Sequence, residues 1–134
     1  MKPAISWLAA SLACASASVR EPTCAAPAGR VEIQQVQIGW QRLDPPQQRP
    51  IVDPRAPTRD SREAEALAKN LLVQCRKGGP MEVLQDRYSE VPGGTVVVGP
   101  RANVPFKSAA LCLQKNECAL VRSDIAFHVL KRIG

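Results

Sequence analysis

The chain has 134 residues, which is enough for one domain. Eighteen Lys and Arg residues against twelve Asp and Glu residues give a formal net charge of +6. Hydrophobic residues make up 45%, enough for a globular core and too many for a wholly disordered chain. A single histidine excludes multi-histidine metal sites, and no C-x-x-C pair, Gly-rich phosphate loop or G-x-S-x-G motif occurs.

The N-terminal segment is typical of an export signal. Lys2 precedes an uncharged run over residues 3–19 that is apolar, short and rich in small residues. Ala15-Ser16-Ala17 offers a cleavage site and predicts a signal peptide over 1–17. Residues 10–14 instead resemble a bacterial lipobox, in which Cys14 would carry the lipid after a signal over 1–13. A buried helix with an ordinary cysteine is the third alternative.

Either cleavage leaves four cysteines, and in an oxidising compartment these predict up to two disulfides of undetermined pairing. They are Cys24, Cys75, Cys112 and Cys118. Cys75 and Cys112 also fall at apolar helical positions, where buried thiols are an equal alternative. Residues 18–30 are rich in Ala, Pro and Ser without a period, which predicts a flexible tether leading to the domain.

The folded part begins with a strand predicted over Val31–Trp40, where β-branched residues nearly alternate with polar ones. Gln34, Gln35 and Gln37 are unusual there, because a buried amide needs hydrogen-bond partners. Five prolines over residues 43–59 then predict a long loop, since proline interrupts both helices and β-ladders.

A helix is predicted to start at Asp60, because Asp60 and Glu63 have the spacing of a capping box. Apolar side chains from Ala64 to Cys75 recur at helical spacing and predict one buried face. A Gly-Gly-Pro run ends this helix, and a short second helix follows over Met81–Tyr88.

The remaining elements complete an α+β domain. In chain order they are a turn at Pro92-Gly93-Gly94, a short buried strand at Thr95–Gly99, a helix at Pro105–Leu113, and strands at Cys118–Val121 and Ile125–Ile133. The last strand is apolar on both faces, which predicts a central position. The order β-α-α-β-α-β-β over 31–134 predicts a four-stranded, mostly antiparallel sheet with about three helices.

Four stretches resemble the parvulin family of peptidyl-prolyl cis-trans isomerases, in the family's order. They are the helical run at 64–90, the Gly93-Gly94 pair before a strand, VPFKSAALCL at 104–113 and VRSDIAFHVLKRI at 121–133. The resemblance covers about residues 31–134. It implies a parvulin-like fold and non-covalent catalysis of rotation about X-Pro bonds in exported or envelope proteins, with no cofactor and no metal.

The resemblance also implies site residues. Phe106 matches the aromatic floor of a proline pocket, and His128 and Ser123 match members of a buried hydrogen-bonded network. The simpler interpretations are a core phenylalanine, a satisfied core histidine and a turn serine. In the first strand Gln35 replaces a family histidine; it keeps a donor and an acceptor but cannot titrate. The alternative is a solvent-facing glutamine.

Other positions depart from the family pattern. The polar cysteine or aspartate expected after the Tyr-Ser pair is missing, so that Glu90 either substitutes for it or lies on the surface. Ala102 and Val96 match a pocket methionine and leucine, which predicts a wider pocket, and Asn103 occupies a position where an amide is common. The departures leave an alternative function: a catalytically weak or inactive module that binds peptides as a chaperone.

Arginines in and beside the proline-rich loop lie where some parvulins bind a phosphate or an acidic residue before proline. They are Arg49, Arg55, Arg59 and Arg62, and the alternative is that they only solvate the loop. We therefore expect an exported protein, periplasmic or anchored in the cell envelope, whose partners are unfolded or extended proline-containing polypeptides. Contact with the membrane is expected only through a lipid on Cys14, and the few aromatics disfavour nucleic acid.

Overall fold

The structure is a computed structural model that describes residues 24–41 and 58–134. Within these residues the elements follow the predicted order: β1 Val31–Ile38, α1 Ser61–Arg76, α2 Met81–Tyr88, β2 Thr95–Val98, α3 Lys107–Cys112, β3 Cys118–Arg122 and β4 Phe127–Arg132. The predicted α+β class with three helices and a four-stranded sheet is confirmed. The predicted signal, Cys14, Arg49 and Arg55 lie outside the described residues.

The four strands form one sheet in the order β2-β1-β4-β3, and every neighbouring pair is antiparallel. The central position predicted for the last strand is confirmed, because β4 lies between β1 and β3. The prediction that β2 is buried was wrong. Three consecutive valines suggest a strand covered on both faces, but β2 pairs at the sheet edge and Val97 is 48% exposed.

Helices cover both faces of this sheet and create two hydrophobic clusters. Strand residues that pack with α1 and α2 include Val36, Ile38, Phe127 and Val129, and those that pack with α3 include Val31, Ile33, Val121 and Leu130. Because side chains alternate along a strand, β1 and β4 contribute to both clusters. This double packing explains why the last strand reads as apolar on both faces.

The start and end of α1 follow from local chemistry, and the predicted capping box is confirmed. The Asp60 carboxylate accepts from the Glu63 N–H at 2.7 Å, and the Glu63 carboxylate accepts from the Asp60 N–H at 3.4 Å. Beyond the last turn, Gly78 has φ +86°, a left-handed conformation that glycine adopts without steric cost.

Two disulfides join the four described cysteines, which decides between the alternatives of disulfides and buried thiols. Cys75–Cys118 ties α1 to β3, and Cys24–Cys112 ties the segment before β1 to α3. The Ala28 N–H also donates to the Leu111 carbonyl at 2.8 Å. Residues 24–30 are therefore attached to the domain, and the flexible tether predicted over 18–30 does not extend to them. Among the described residues no helix is long and apolar enough to span a membrane.

Asp60→Ala should lower the free energy of unfolding by about 1 kcal/mol, because the first turn of α1 loses its side-chain acceptor. Urea denaturation measures the change. The control Asp86→Ala removes an exposed carboxylate inside α2 and should cost less than about 0.5 kcal/mol. Equal losses in the two variants would contradict the capping role.

Candidate functional site

The single histidine lies on the central strand and faces α3. His128 is 1% exposed and sits opposite Gln37 on β1 and Val121 on β3. The Phe106 ring packs on its imidazole, with ring centroids 5.3 Å apart and planes inclined by 51°. A buried imidazole next to an aromatic ring requires that both of its nitrogens find polar partners.

The first partner of the imidazole is Gln35. Its Oε1 lies 3.1 Å from His128 Nδ1. An amide oxygen only accepts hydrogen bonds, so Nδ1 carries the proton in this arrangement. Gln35 lies two residues before Gln37 on the same face of β1, and it is half-buried. The structure therefore uses Gln35 as a network member rather than as a solvent-facing side chain.

The second partner is Ser123, in the turn between β3 and β4. Its Oγ lies 2.8 Å from His128 Nε2 and 3.2 Å from the Ala126 carbonyl, and it accepts from the N–H groups of Ile125 and Ala126. When the ring is neutral, the hydroxyl donates to Nε2. The Ser123 oxygen keeps its two lone pairs for the N–H groups of Ile125 and Ala126. Both ring nitrogens of the neutral imidazole therefore have a hydrogen-bond partner.

Phe106 belongs to the hydrophobic cluster under α3 as well as to the histidine contact. It occupies the N-cap of α3 and is 1% exposed, so its ring is not open to solvent. The half-buried Val96 and Ala102 pack against the same cluster. Asn103, by contrast, is exposed in the loop between β2 and α3. Phe106 is therefore a core residue that also contacts the histidine of the candidate site.

Gln85 on α2 is a residue that the sequence analysis missed. It is buried, its Nε2 donates to the carbonyls of Gln35 and Gly94 at 3.0 Å each, and its Oε1 accepts from the Gly94 N–H at 3.3 Å. Gly94 has φ +118°, which favours glycine at this turn. Gln85 thus fixes the backbone of Gln35. A signal was present, because Gln85 follows Met81 by four positions and shares its apolar helical face.

Glu90 is buried, which excludes the alternative that placed it on the surface. It is 1% exposed, and its N–H donates to the Gln37 carbonyl at 2.9 Å. The neighbouring Ser89 hydroxyl accepts from the Gln37 N–H at 3.1 Å. The chain leaving α2 therefore runs along β1 at Gln37, which pairs with His128 on the neighbouring strand β4. The pairing with Gln37 brings the Glu90 side chain into the interior beside β1.

The arginines are placed differently from one another. Arg59 is buried; its Nη1 donates to the Gly39 carbonyl at 3.4 Å, and its own carbonyl accepts from the Gln41 N–H at 2.6 Å. Its guanidinium therefore packs against the chain after β1 instead of standing on the surface, where an anion would meet it. Arg62 is exposed in the first turn of α1.

The Gln34 side chain lies on the opposite face of the sheet. Its Nε2 donates to Glu82 Oε1 at 2.8 Å. This hydrogen bond is the main reason that the pKa of Glu82 lies below its usual value, and the charge of Lys131 acts in the same direction. The neighbouring residues Gln34 and Gln35 thus hydrogen-bond Glu82 and His128 on opposite faces of the sheet.

The structure therefore gathers the sequence-predicted residues Gln35, Phe106, Ser123 and His128 on one face of the sheet, with Val96 and Ala102 beside them. Within the described ranges no group of three or more His, Cys, Asp or Glu side chains could hold a metal ion. In comparisons with known proteins, the chain matches no protein-family model and no curated protein sequence.

Gln35→Leu should remove the acceptor of Nδ1 and lower the free energy of unfolding by about 1–3 kcal/mol, the cost of a buried donor left without a partner. The imidazole ¹⁵N signals of His128 should shift at the same time, since the Nδ1 proton loses its acceptor. Gln34→Leu is the matched control on the opposite face and should leave these signals in place. Unchanged signals in Gln35→Leu would refute the contact.

Gln34→Leu should also raise the pKa of Glu82 towards its ordinary value, because the amide that stabilises the carboxylate is gone. The folded-state pKa is depressed, so the associated stability is present above the unfolded pKa and declines as pH falls through the folded pKa. A carboxyl ¹³C NMR titration of Glu82 measures the change. An identical titration curve in the variant would show that Gln34 has no such effect.

Proposed function

We propose that this protein is a parvulin-like peptidyl-prolyl cis-trans isomerase that acts on exported polypeptides. The observation that carries the proposal is the Gln35–His128–Ser123 network with the Phe106 ring against the imidazole. These residues come from the first strand, the helix before β3, the last turn and the last strand, the positions at which the family resemblance expects them. The antiparallel sheet with β4 at its centre agrees with that arrangement.

The reaction needs no cofactor, because only one bond rotates. The uncatalysed barrier of about 18–20 kcal/mol arises from amide resonance, which the twisted transition state loses. An enzyme lowers this barrier by binding the twisted amide more tightly than the planar one. The twisted amide is less polar at its carbonyl, so an apolar and water-poor surface favours it.

In the proposal, the apolar cluster around Phe106 provides this surface. The rings of Phe106 and His128 are buried, so the proline ring contacts the half-buried side chains above them, including Val96 and Ala102. Gln35 and Ser123 are also half-buried and hold the imidazole in one orientation beneath that surface. His128 acts as a fixed member of the network and forms no bond to the substrate.

Two features support an oxidising environment for the protein and its substrates. Four cysteines are joined in two disulfides, which form and persist in exported proteins. The N-terminal run after Lys2 is typical of an export signal. The proposed substrates are extended or unfolded envelope proteins that contain proline. A lipid on Cys14 would anchor the isomerase to the membrane.

A second function is favoured by the burial of Phe106 and by the glutamine in place of a titratable group on β1. The same face would then bind extended chains without turnover, as a chaperone or scaffold module does. The two functions differ in one measurable quantity, the rate of cis/trans exchange in a bound peptide.

The test compares Phe106→Leu with Phe127→Leu. Leucine is chosen because truncation of a buried phenylalanine to alanine costs about 3–5 kcal/mol and would confuse loss of activity with unfolding. Phe127 is equally buried but packs with Trp40 on the opposite face, at a centroid distance of 5.3 Å. Phe106→Leu should lower kcat/KM by about ten-fold, and Phe127→Leu should leave it within about two-fold of the unmodified protein.

Rates are measured by NMR exchange on Xaa-Pro peptides, far below the unfolding temperature of either variant. Binding without acceleration by the unmodified protein would favour the chaperone function. Equal losses in both variants would place the proline pocket elsewhere.

A further inference from the structure

The two disulfides differ in their access to solvent. Cys24 is exposed and Cys112 is half-buried, whereas Cys75 and Cys118 are only 2% and 4% exposed. Cys75 and Cys118 also belong to the hydrophobic cluster beneath α1. A reductant in solution therefore reaches the Cys24–Cys112 bond first, since exposed disulfides exchange more readily than enclosed ones.

The surroundings of the exposed bond provide room for an attacking thiolate. A cavity of about 240 Å³ lies directly against it, lined by Cys24, Pro27, Ser108, Leu111 and Cys112. The buried bond, in contrast, is enclosed by α1, β3 and their hydrophobic neighbours. Thiol–disulfide exchange requires direct approach to a sulfur, so this difference in packing separates the two bonds chemically.

The exposed bond also anchors the helix that carries Phe106. The six residues of α3 are too few for a stable helix by themselves, and its N-cap makes no side-chain hydrogen bond. Its C-terminal end is fixed by the Cys24–Cys112 bond and by the hydrogen bond from Ala28 to the Leu111 carbonyl. Its N-terminal end carries the Phe106 ring, which packs on His128.

The geometry points to Cys24–Cys112 as a thiol-exchange site whose oxidation holds α3, and with it Phe106, against His128. A dithiol reductant attacks the exposed Cys24 sulfur, forms a mixed disulfide and releases Cys112 as a thiolate. The second thiol of the reductant then displaces Cys24. Two electrons pass to the protein, which takes up two protons as its thiols form, and the reductant becomes a disulfide. The positioning of α3 by this disulfide does not depend on the proposed function. Only the expected effect on isomerase activity rests on that function.

The first experiment treats the oxidised chain, in a Cys14→Ser background that removes the fifth thiol, with dithiothreitol under native conditions. Alkylation and peptide mapping follow each cysteine. Cys24 and Cys112 should become alkylated at least about ten-fold faster than Cys75 and Cys118. Equal rates would overturn the proposal.

The second measurement records the NMR signals of Phe106 and His128 in the selectively reduced protein. The aromatic signals of Phe106 and the imidazole signals of His128 should shift, while those of Trp40 and Phe127 on the opposite face stay in place. Site signals that do not move would show that the bond does not position α3. Because this sample starts from folded protein, the result does not depend on a variant that folds.

Matched variants complete the test. Cys24→Ser with Cys112→Ser should reproduce the shifted site signals and lower isomerase kcat/KM by about ten-fold. Cys75→Ala with Cys118→Ala should lower Tm and retain the site signals. Shifted signals in a protein that shows no isomerase activity in either redox state would refute the proposed function and leave this inference standing. Activity and site signals that are both unchanged on selective reduction would refute the inference and leave the function standing.

Discussion

Residues 127–130 of the central strand β4 are buried, so the polar atoms they carry must find partners inside the protein. His128 is the side chain on which this constraint acts most strongly. Its two ring nitrogens connect β1, through Gln35, to the turn at Ser123. Gln85 extends the same polar chain to α2, because its amide binds the Gln35 carbonyl. One buried imidazole thus relates the positions of a helix, two strands and a turn.

The sequence predicts the fold well where a single local interaction decides the structure. The capping box at Asp60 and the apolar spacing through Cys75 determine α1 without reference to other elements. Prediction failed where a distant partner decides. The valines of β2 resemble a buried run, but the position of that strand in the sheet is set by β1, and Val97 is left exposed. Composition predicted a tether over residues 18–30, but one cysteine attaches residues 24–30 of it to α3.

For the candidate site too, the success of prediction depended on whether the distant partners of a residue could be anticipated. The resemblance groups Gln35, Ser123 and His128, which are far apart in the sequence, and hydrogen bonds join all three, while their role in a site stays a prediction. Gln85 was missed, since a glutamine on a short helix reads as a solvated residue until its partners on β1 are known. Glu90 was left undecided because its burial depends on how the chain after α2 lies along Gln37. No periodic pattern encodes that pairing.

The connectivity of the two disulfides has a consequence for how the chain matures. Along the sequence the bonded cysteines alternate, so that each covalent loop contains one end of the other. Four cysteines allow three pairings, and joining sequence neighbours gives the wrong one. In a chain that enters an oxidising compartment from its N-terminus, Cys24 and Cys75 arrive before either native partner. If the chain is exported as proposed, correct pairing would require either oxidation delayed until the C-terminal strands emerge or reshuffling by a disulfide isomerase.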